Sequence, residues 1–435
     1  MKSKLAIHGG PSTVPEGLKK IWPEITQEDK DAVLGVLERN ILTGGVHGPE
    51  AAALQDEWAA YNGSAHALAF NSGTAALHTA LFAAGVCPGD EVITSAFSFS
   101  GSYNPILQQH AIPIFVDIDP RTFNIDVNQI EDKITPRTKV LMPVHIHGLP
   151  ADMDEVCSLA EKHNLIVVED ACQAHGATYK GSNVGTIGDM GCFSLNATKN
   201  LSGGEGGLML TENDAFVARA QMFRTFGEKE GDAQETPYNT KKFRSYESHT
   251  IGYNYRLQEM PAAFTRSQLK RLTHYNDTAI RNGQYLSQEL AKIEGLNPPH
   301  VPSDRTTLYH KYRLCFDTQA LGLTIPATTF RNRLVDALQA EGVAAYLWMT
   351  TPLPAYPVFQ NLDVGYGNGY PWRAPFYDQE IRYDPEDYPE TWRVLETSIC
   401  VNTEKYSITV QSLETMEYYV AAFNKVFDNL DLLID

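Results

Sequence analysis

The sequence predicts an α/β fold built around a mostly parallel sheet, followed by a smaller α+β domain. Short apolar runs alternate regularly with helical patterns between about residues 66 and 211. The runs are apolar almost throughout, which is typical of strands that are covered on both faces. After Leu272 the alternation fades, so we place the end of the larger domain there. A chain of 435 residues is long enough for two domains.

Seven apolar runs are the candidate strands of the larger domain. Helical patterns such as Met153–His163 separate them and supply the right-handed crossovers that parallel strands need. This alternation predicts a seven-stranded, mostly parallel sheet with helices packed on it. The predicted strands are His66–Phe70, Glu91–Ser95, Ile112–Asp117, Val140–Val144, Leu165–Glu169, Gly191–Leu195 and Gly207–Leu210.

The C-terminal part is predicted to form the smaller α+β domain. A helical pattern over Asp277–Ile293 precedes a strand-like stretch, Tyr312–Phe316, and a second helical pattern, Thr328–Glu341. We therefore predict a larger domain over residues 1–272 and a smaller one over residues 273–435. Two stretches interrupt the pattern and are predicted to be long loops, Glu228–Ser248 and Gln360–Pro389. Loops of this length are often functional.

Charge and hydropathy argue against two classes of partner. The formal net charge is −18, and no block of consecutive Lys or Arg breaks it, so we expect no nucleic acid partner. No stretch reaches the roughly 18 apolar residues of a membrane span, and the first ten residues lack the apolar run of a signal peptide. The cysteines are scattered and include no C-x-x-C pair. We therefore expect a cytoplasmic protein that does not bind membranes.

Residues that directly follow the predicted strands carry the candidate chemistry, because ligand sites of open α/β sheets lie beyond the carboxyl ends of the strands. After the first strand, Gly73 and Thr74 open a helix whose N-terminal N–H groups can hold an anion. An ordinary N-cap without a ligand is the alternative there. After the fifth strand, Asp170 needs a cation or several donors if it is buried. A pyridinium nitrogen would supply that charge, whereas helix capping is the alternative role.

Two more strands lead to a lysine and to aromatic rings. Lys199 follows the sixth strand, lies five residues after Ser194 and precedes the glycine-rich turn of residues 203–207. Its small or apolar flanks favour loss of the proton and attack on a carbonyl, although most lysines are solvated on the surface. Ser194 would then face a phosphate. Phe97 and Phe99 follow the second strand and offer rings for stacking, although core packing explains at least one of them.

These four junctions together indicate pyridoxal 5′-phosphate (PLP), which needs a phosphate cradle, a carboxylate, a lysine and often an aromatic ring. Other ligands are less well supported. His145 and His147 have a spacing that can bind metal, but no cluster of Cys or carboxylate completes a site, so no metal is predicted. The turn of residues 203–207 lacks the G-x-G-x-x-G spacing of a dinucleotide site.

Several longer motifs contain the same residues: SGTAAL (72–77), GDEVI (89–93), FVDIDPRTF (115–123), VVEDACQAHGA (167–177), GDMGCFSLNATKNLSGGEGG (188–207) and GYNYRLQEMPAA (252–263). With these motifs the chain resembles the DegT/DnrJ/EryC1/StrS family of PLP-dependent sugar aminotransferases, which have the aspartate aminotransferase (type I) fold. The resemblance extends from about Trp22 to Leu272 and continues more weakly beyond. It implies that Lys199 is the Schiff-base lysine and that Asp170 pairs with the pyridinium nitrogen.

The resemblance also implies the other contacts of the cofactor and a homodimer with composite active sites. In the GYNYR motif, Asn254 would reach the phosphate in the neighbouring subunit. Asn196 stands where the family often has His or Gln, which affects the expected substrate contacts. Beside the ring we expect Gln173, stacked on it Phe99, and around the phosphate Gly73, Thr74 and Ser194.

The implied activity is transfer of an amino group from glutamate or glutamine to a ketone of a sugar or cyclitol. Three alternatives stay open. One is another PLP reaction, such as dehydration, although Lys199 argues against the family's 3-dehydratases, in which histidine replaces that lysine. Another is a PLP-fold binding or regulatory protein without turnover, which would not need both Lys199 and Asp170. The last is an NAD-dependent oxidoreductase, which predicts changes in nicotinamide absorbance.

Overall fold

A seven-stranded sheet lies at the centre of the larger domain in the computed structural model, which describes residues 3–43, 48–229 and 247–434. A short hairpin and a three-stranded sheet hold the remaining strands. The strands in chain order are β1 (His66–Phe70), β2 (Glu91–Ser95), β3 (Ile112–Val116), β4 (Thr138–Met142), β5 (Ile166–Asp170), β6 (Thr178–Tyr179), β7 (Ser182–Asn183), β8 (Met190–Ser194), β9 (Gly207–Thr211), β10 (Leu296–Asn297), β11 (Arg313–Phe316) and β12 (Ser398–Cys400).

The order of the large sheet is β1-β9-β8-β5-β4-β2-β3. β9 runs antiparallel to its neighbours β1 and β8, and all other neighbouring pairs are parallel. Six strands therefore have their carboxyl ends at one edge of the sheet. The predicted α/β class, with a mostly parallel seven-stranded sheet, is confirmed.

Helices surround this sheet and fill the C-terminal part. Local signals explain several of their ends: Thr26 and Asp29 form a capping box at the start of α1, and Asn164 ends α5 in the left-handed conformation. The helices are α1 (Gln27–Arg39), α2 (Pro49–Asn62), α3 (Gly73–Ala83), α4 (Asn104–Gln108), α5 (Met153–His163), α6 (Asp214–Arg224), α7 (Glu259–Leu269), α8 (Leu272–Leu290), α9 (Ala327–Ala340), α10 (Pro357–Gln360), α11 (Pro389–Glu396), α12 (Leu413–Phe427) and α13 (Asp431–Ile434).

Both faces of the large sheet are buried, as the apolar strand sequences predict. Val168 and Cys192 point to one face, where they share a core with α3. Their chain neighbours Val167 and Phe193 point to the other face, towards cores that include α5 and α2. Successive strand residues alternate between faces, so a strand buried on both sides must be apolar at every position.

The smaller sheet, β10-β11-β12, is antiparallel and packs with α8, α9 and α12 around one core. Leu5 and Val14, from the start of the chain, lie in this same core. The first residues of the chain therefore pack with the C-terminal part, although the predicted boundary assigns them to the larger domain. The division at residues 272 and 273 itself stays a prediction.

The Gly-, Pro- and Tyr-rich stretch predicted as a loop over Gln360–Pro389 covers the edge strand β3. Trp372 and Tyr383 are buried in one core with Phe115 of β3. The hydroxyl of Tyr383 donates to the carbonyl of Pro113, an edge group that would otherwise lack a strand partner (2.8 Å). Most of the other predicted loop, residues 230–246, lies outside the described residues. Among the residues that are described, no helix is long and apolar enough to cross a membrane.

Candidate active site

One cavity of about 510 Å³ opens at the carboxyl ends of the parallel strands. Loops after β1, β2, β5 and β8 line it, and the C-terminal part contributes its remaining wall. Seven of the eight site residues predicted from the sequence line this cavity: Gly73, Thr74, Phe99, Asp170, Gln173, Ser194 and Lys199. The convergence follows from the sheet topology, because parallel neighbours end at the same edge.

The N-terminus of α3 forms one end of the cavity. Ser72 caps the helix, since its hydroxyl accepts from the N–H of Ala75 (3.0 Å). The N–H groups of Gly73 and Thr74 have no intrahelical acceptor in this position, and the helix dipole favours an anion beside them. A Cβ on Gly73 would lie 2.7 Å from the Cβ of Ser194, so the glycine lets the helix approach β8 closely. Backbone donors and the Ser194 hydroxyl thus suit a phosphate.

Asp170 lies at the end of β5 and is only 4% exposed. Its carboxylate accepts from the hydroxyl of Ser102 (2.7 Å) and from the N–H of Cys172 (3.2 Å). The Ser102 hydroxyl also lies 2.7 Å from that of Ser98. Among the described residues no cation makes an ion pair with Asp170, so this buried carboxylate faces the cavity without a directly bound counter-charge. A protonated ring nitrogen would supply that charge.

The adjacent acid, Glu169, points away from the cavity and holds the structure behind it. Its carboxylate accepts from the N–H groups of Gly185 (2.7 Å), Ile187 (2.8 Å) and Gly188 (2.7 Å). His145 has its Nε2 2.9 Å from the same carboxylate. The Nδ1 of His145 accepts from the N–H of Ala151, which places the ring proton on Nε2.

The second histidine of the pair, His147, also contacts other side chains of the protein. Its Nε2 accepts from the Arg313 guanidinium (3.1 Å), and its ring lies against Phe97. Neither histidine lines the cavity. Over residues 3–43, 48–229 and 247–434 no group of three His, Cys, Asp or Glu side chains could hold a metal ion.

Lys199 lines the cavity from the turn after β8. The turn is held by backbone bonds, in which the Lys199 N–H donates to Asn196 (2.9 Å) and the Ala197 N–H donates to Gly204 (2.8 Å). The Nζ of Lys199 has no ion-pair or hydrogen-bond partner among the described residues. Burial lowers the pKa of Lys199, while the negative charge of Asp170 opposes this shift. A lowered pKa leaves more of the neutral amine, the form that attacks carbonyls.

Of the two aromatic candidates, Phe97 is a core residue and Phe99 borders the cavity. Phe97 is 1% exposed and packs edge-on against Trp348. Phe99 is 57% exposed and is therefore available to a flat ligand. Gln173 is buried and lines the cavity, and its side-chain oxygen accepts from the N–H of His147 (2.9 Å).

Asn254 is the predicted site residue that does not line the cavity of its own chain. Its side chain is exposed and its Oδ1 accepts from the Nε of Arg256 (3.1 Å). Its carbonyl accepts from the amide of Asn71 (3.1 Å), directly after β1. A role at a neighbouring subunit's phosphate stays a prediction.

Several cavity residues escaped the sequence analysis. His310, Lys311, Trp348 and Glu404 form a wall from the C-terminal part. Burial lowers the pKa of His310 well below its ordinary value, and the nearby Lys199 adds to the shift, so the ring is neutral at pH 7. The sequence carries little sign of these residues: only His310 and Lys311 lie in a stretch, YHKYR (309–313), whose charged residues depart from the apolar pattern of a strand.

Comparison with known proteins decides the family. The profile of the DegT/DnrJ/EryC1/StrS aminotransferase family matches residues 23–381. The chain belongs to this family. A putative L-glutamine:3-amino-2,3-dideoxy-scyllo-inosose aminotransferase of Micromonospora echinospora is 31% identical over 441 residues, covering 100% of this chain and 99% of that one. GDP-perosamine synthase of Caulobacter vibrioides is 34% identical over 322 residues, 74% of this chain and 81% of the relative.

A solved structure of another aminotransferase has the same fold. The enzyme from Psychrobacter cryohalolentis superposes with a TM-score of 0.82 at 29% identity, covering 95% of this chain and 100% of that chain. As a member of the DegT/DnrJ/EryC1/StrS family, the protein is a PLP-dependent aminotransferase. Its cavity fits PLP, because the α3 N-terminus suits the phosphate, the unpaired Asp170 suits the ring nitrogen and the unpaired Lys199 suits the aldehyde.

A substitution at Gly73 tests whether the close approach of α3 to β8 forms the phosphate site. Gly73→Ala should weaken PLP binding at least about tenfold, or about 1.4 kcal/mol, because the added Cβ pushes the α3 N-terminus away from Ser194. The measurement is the dissociation constant of PLP from a spectrophotometric titration. Gly35→Ala in α1 is the matched control and should leave PLP binding unchanged, since its Cβ meets only the flexible side chain of Arg39. If both variants bound PLP with the same affinity, the N-terminus of α3 would not be the phosphate site.

Proposed function

We propose that this aminotransferase moves an amino group from glutamate or glutamine to a ketone of a sugar or cyclitol. One observation carries the proposal: Lys199 and Asp170 line the same cavity as the N-terminal turn of α3. The acceptor class is supported by the names of relatives, which refer to a scyllo-inosose aminotransferase and to GDP-perosamine synthase. Both names point to polyhydroxylated rings.

Lys199 and Asp170 have different roles in amino transfer. When bound, PLP supplies an aldehyde for the donor's nitrogen and a ring that accepts electrons. Lys199 tethers the cofactor between turnovers, and its freed amine takes the proton from the donor's α-carbon. Asp170 would hold a proton on the ring nitrogen, and that positive charge would stabilise the negative charge left when the donor's α-carbon loses its proton. The donor leaves as a 2-oxo acid and the ketone becomes an amine, so no external oxidant is needed.

Isotope transfer tests this proposal. The holoenzyme is incubated with glutamate or glutamine carrying ¹⁵N on the α-amino group and with a panel of keto sugars and keto-cyclitols. We expect one class of acceptor to gain a labelled amino group, detected by mass spectrometry, in step with formation of the 2-oxo acid. Loss of a hydroxyl from the acceptor without gain of nitrogen would indicate dehydration. Absence of any 2-oxo acid would contradict amino transfer.

We also propose that two copies of the chain form a homodimer in which Asn254 contributes to the partner's phosphate site. The surface around Asn254 supports this assembly: Ile251 is 78% exposed, and Phe226 and Tyr253 are exposed beside it. The Phe226 N–H donates to the Tyr253 carbonyl (3.0 Å), so these side chains lie on neighbouring segments. Exposed apolar residues grouped in this way are typical of a surface that another chain covers.

Complementation between two inactive variants tests the composite site. Lys199→Ala and Asn254→Ala homodimers should each be nearly inactive. After subunit exchange, a heterodimer should hold both defects in one site and leave the other intact, because a twofold axis relates the two sites. We therefore expect activity near that of one wild-type site per heterodimer. No recovery after verified exchange would mean that Asn254 acts within its own chain.

A further inference from the structure

A second lysine, Lys311, lines the active-site cavity. It lies two residues before the start of β11, in the wall that the C-terminal part contributes. Lys311 is only 3% exposed. Its Nζ lies 5.3 Å from the centre of the Tyr346 ring, which can stabilise a cation but cannot neutralise it.

No carboxylate of the described residues forms an ion pair with this buried ammonium, although the charge of Glu404 offsets part of the effect of burial. Among the described residues Lys311 makes neither an ion pair nor a hydrogen bond through its side chain. Glu404 lines the same cavity, but it is exposed and not paired with Lys311. A cation buried without a counter-ion costs free energy, so an arriving anion would gain from pairing with it.

The other groups of the cavity that could bind an anion are either assigned to the cofactor or uncharged. The cofactor phosphate is proposed to lie at the N-terminus of α3, and Lys199 is proposed to bind the aldehyde. His310 is neutral at pH 7, because burial lowers its pKa. Lys311 is therefore the positively charged group among the lining residues that the reaction has not yet used. Every amino acid donor carries an α-carboxylate, whereas a keto-cyclitol acceptor need carry no charge.

Resting on the proposed amino transfer, we propose that Lys311 binds the α-carboxylate of the amino donor. The same contact would help the 2-oxo acid product to rebind in the reverse reaction. A neutral acceptor would meet Lys311 without an ion pair, so the residue would distinguish the two substrates that share one cavity.

Titration of Lys311 gives the proposal a pH signature. Burial lowers the pKa of Lys311 to about 8; the positive charges of Lys199 and Arg313 add to the shift, and Cys400 and Glu404 oppose it. The ammonium is present below this pH and is lost above it, so donor affinity should fall as the pH rises through about 8. The charged and titratable groups around Lys311 are Lys199 after β8, His147 after β4, Arg313 in β11, Cys400 in β12, Glu404 after β12, and the neighbouring His310 and Tyr346.

The donor half-reaction of the holoenzyme tests the proposal without an acceptor. The loss of visible cofactor absorbance is followed at increasing concentrations of glutamate or glutamine. For Lys311→Met we expect the apparent dissociation constant of the donor to rise at least about tenfold, while the limiting rate stays within about threefold. Lys311→Arg should keep tight binding and should lose the pH dependence near 8, because an arginine stays charged. Lys405→Met, an exposed lysine outside the cavity, is the control and should behave as wild type.

A donor analogue gives a second readout that does not depend on a variant. The α-amide of the donor lacks the carboxylate, so the wild type should bind it at least about tenfold more weakly than the acid, and Lys311→Met should bind both alike. Unchanged donor affinity in Lys311→Met would overturn the proposal, as would weaker PLP binding with normal donor affinity. If only a phosphate-bearing acceptor loses affinity, Lys311 serves the acceptor and the proposal is wrong. If the wild type reacts with no amino acid, amino transfer itself fails and the Lys311 proposal fails with it.

Discussion

Lys199→Ala should lower steady-state amino transfer by at least about 10⁴-fold, because it removes both the covalent tether of PLP and the base that moves the proton. The protein should still fold and should still bind PLP, since the α3 N-terminus, Ser194 and Asp170 remain in place. The measurements are the rate of 2-oxo acid formation at saturating donor and the melting temperature.

Lys199→Arg serves as the control for charge. It keeps a positive side chain of similar length, but an arginine stays protonated and cannot act as nucleophile or base. We expect it to be as inactive as Lys199→Ala. Steady turnover by either variant would show that another group carries the reaction.

Asp170→Asn should slow the donor half-reaction by about 10² to 10³-fold while PLP stays bound. An amide has nearly the shape of a carboxylate: its oxygen can accept from the Cys172 N–H and its NH2 group can donate to the Ser102 hydroxyl oxygen, but it does not stabilise a protonated ring nitrogen. Single-turnover absorbance traces with the donor alone measure this effect.

Ser102→Ala is the matched control for Asp170. It removes one hydrogen bond of the carboxylate and leaves its charge, so we expect a loss of only about 1 kcal/mol in transition-state stabilisation. If Asp170→Asn changes the rate less than about tenfold, or about 1.4 kcal/mol, the carboxylate is a structural acceptor and not the partner of the ring.

Much of the large domain could be predicted from the sequence, because its signals are local. Each parallel strand is apolar at successive positions, and the residue types change where the strand ends. β1 and β2 have the predicted bounds, and β4 begins two residues earlier than predicted, at Thr138. Gly73 and Lys199 lie in the segments that follow β1 and β8, and Asp170 is the last residue of β5, so one topological rule places them in the same cavity.

Other parts of the site depend on contacts that no local pattern carries. Lys311 and Trp348 reach the cavity from a second sheet and its loops, more than a hundred residues after Lys199. Alternation along β5 predicts that Glu169 and Asp170 face opposite sides, but it does not say which side holds the cavity. The structure answers this question: Gly185 and His145 bind Glu169 on one side, and Asp170 faces the cavity on the other.

The stretch predicted as a functional loop over Gln360–Pro389 has another role in the structure. Its aromatic residues, such as Trp372 and Tyr383, pack on the edge strand β3, and none of the stretch lines the cavity. Length and composition identify an irregular segment, but they do not separate one that binds a ligand from one that covers a sheet edge.

Chemical trapping shows which of the two lysines that line the cavity binds PLP. Borohydride reduces the bond between a lysine and the aldehyde carbon of PLP and makes it permanent. After reduction of the holoenzyme and digestion, mass spectrometry locates the added pyridoxyl group. We expect it on the peptide that contains Lys199 and not on the peptide that contains Lys311, with one group per chain at full occupancy. A pyridoxyl group on Lys311, or on neither lysine, would contradict the account of the active site.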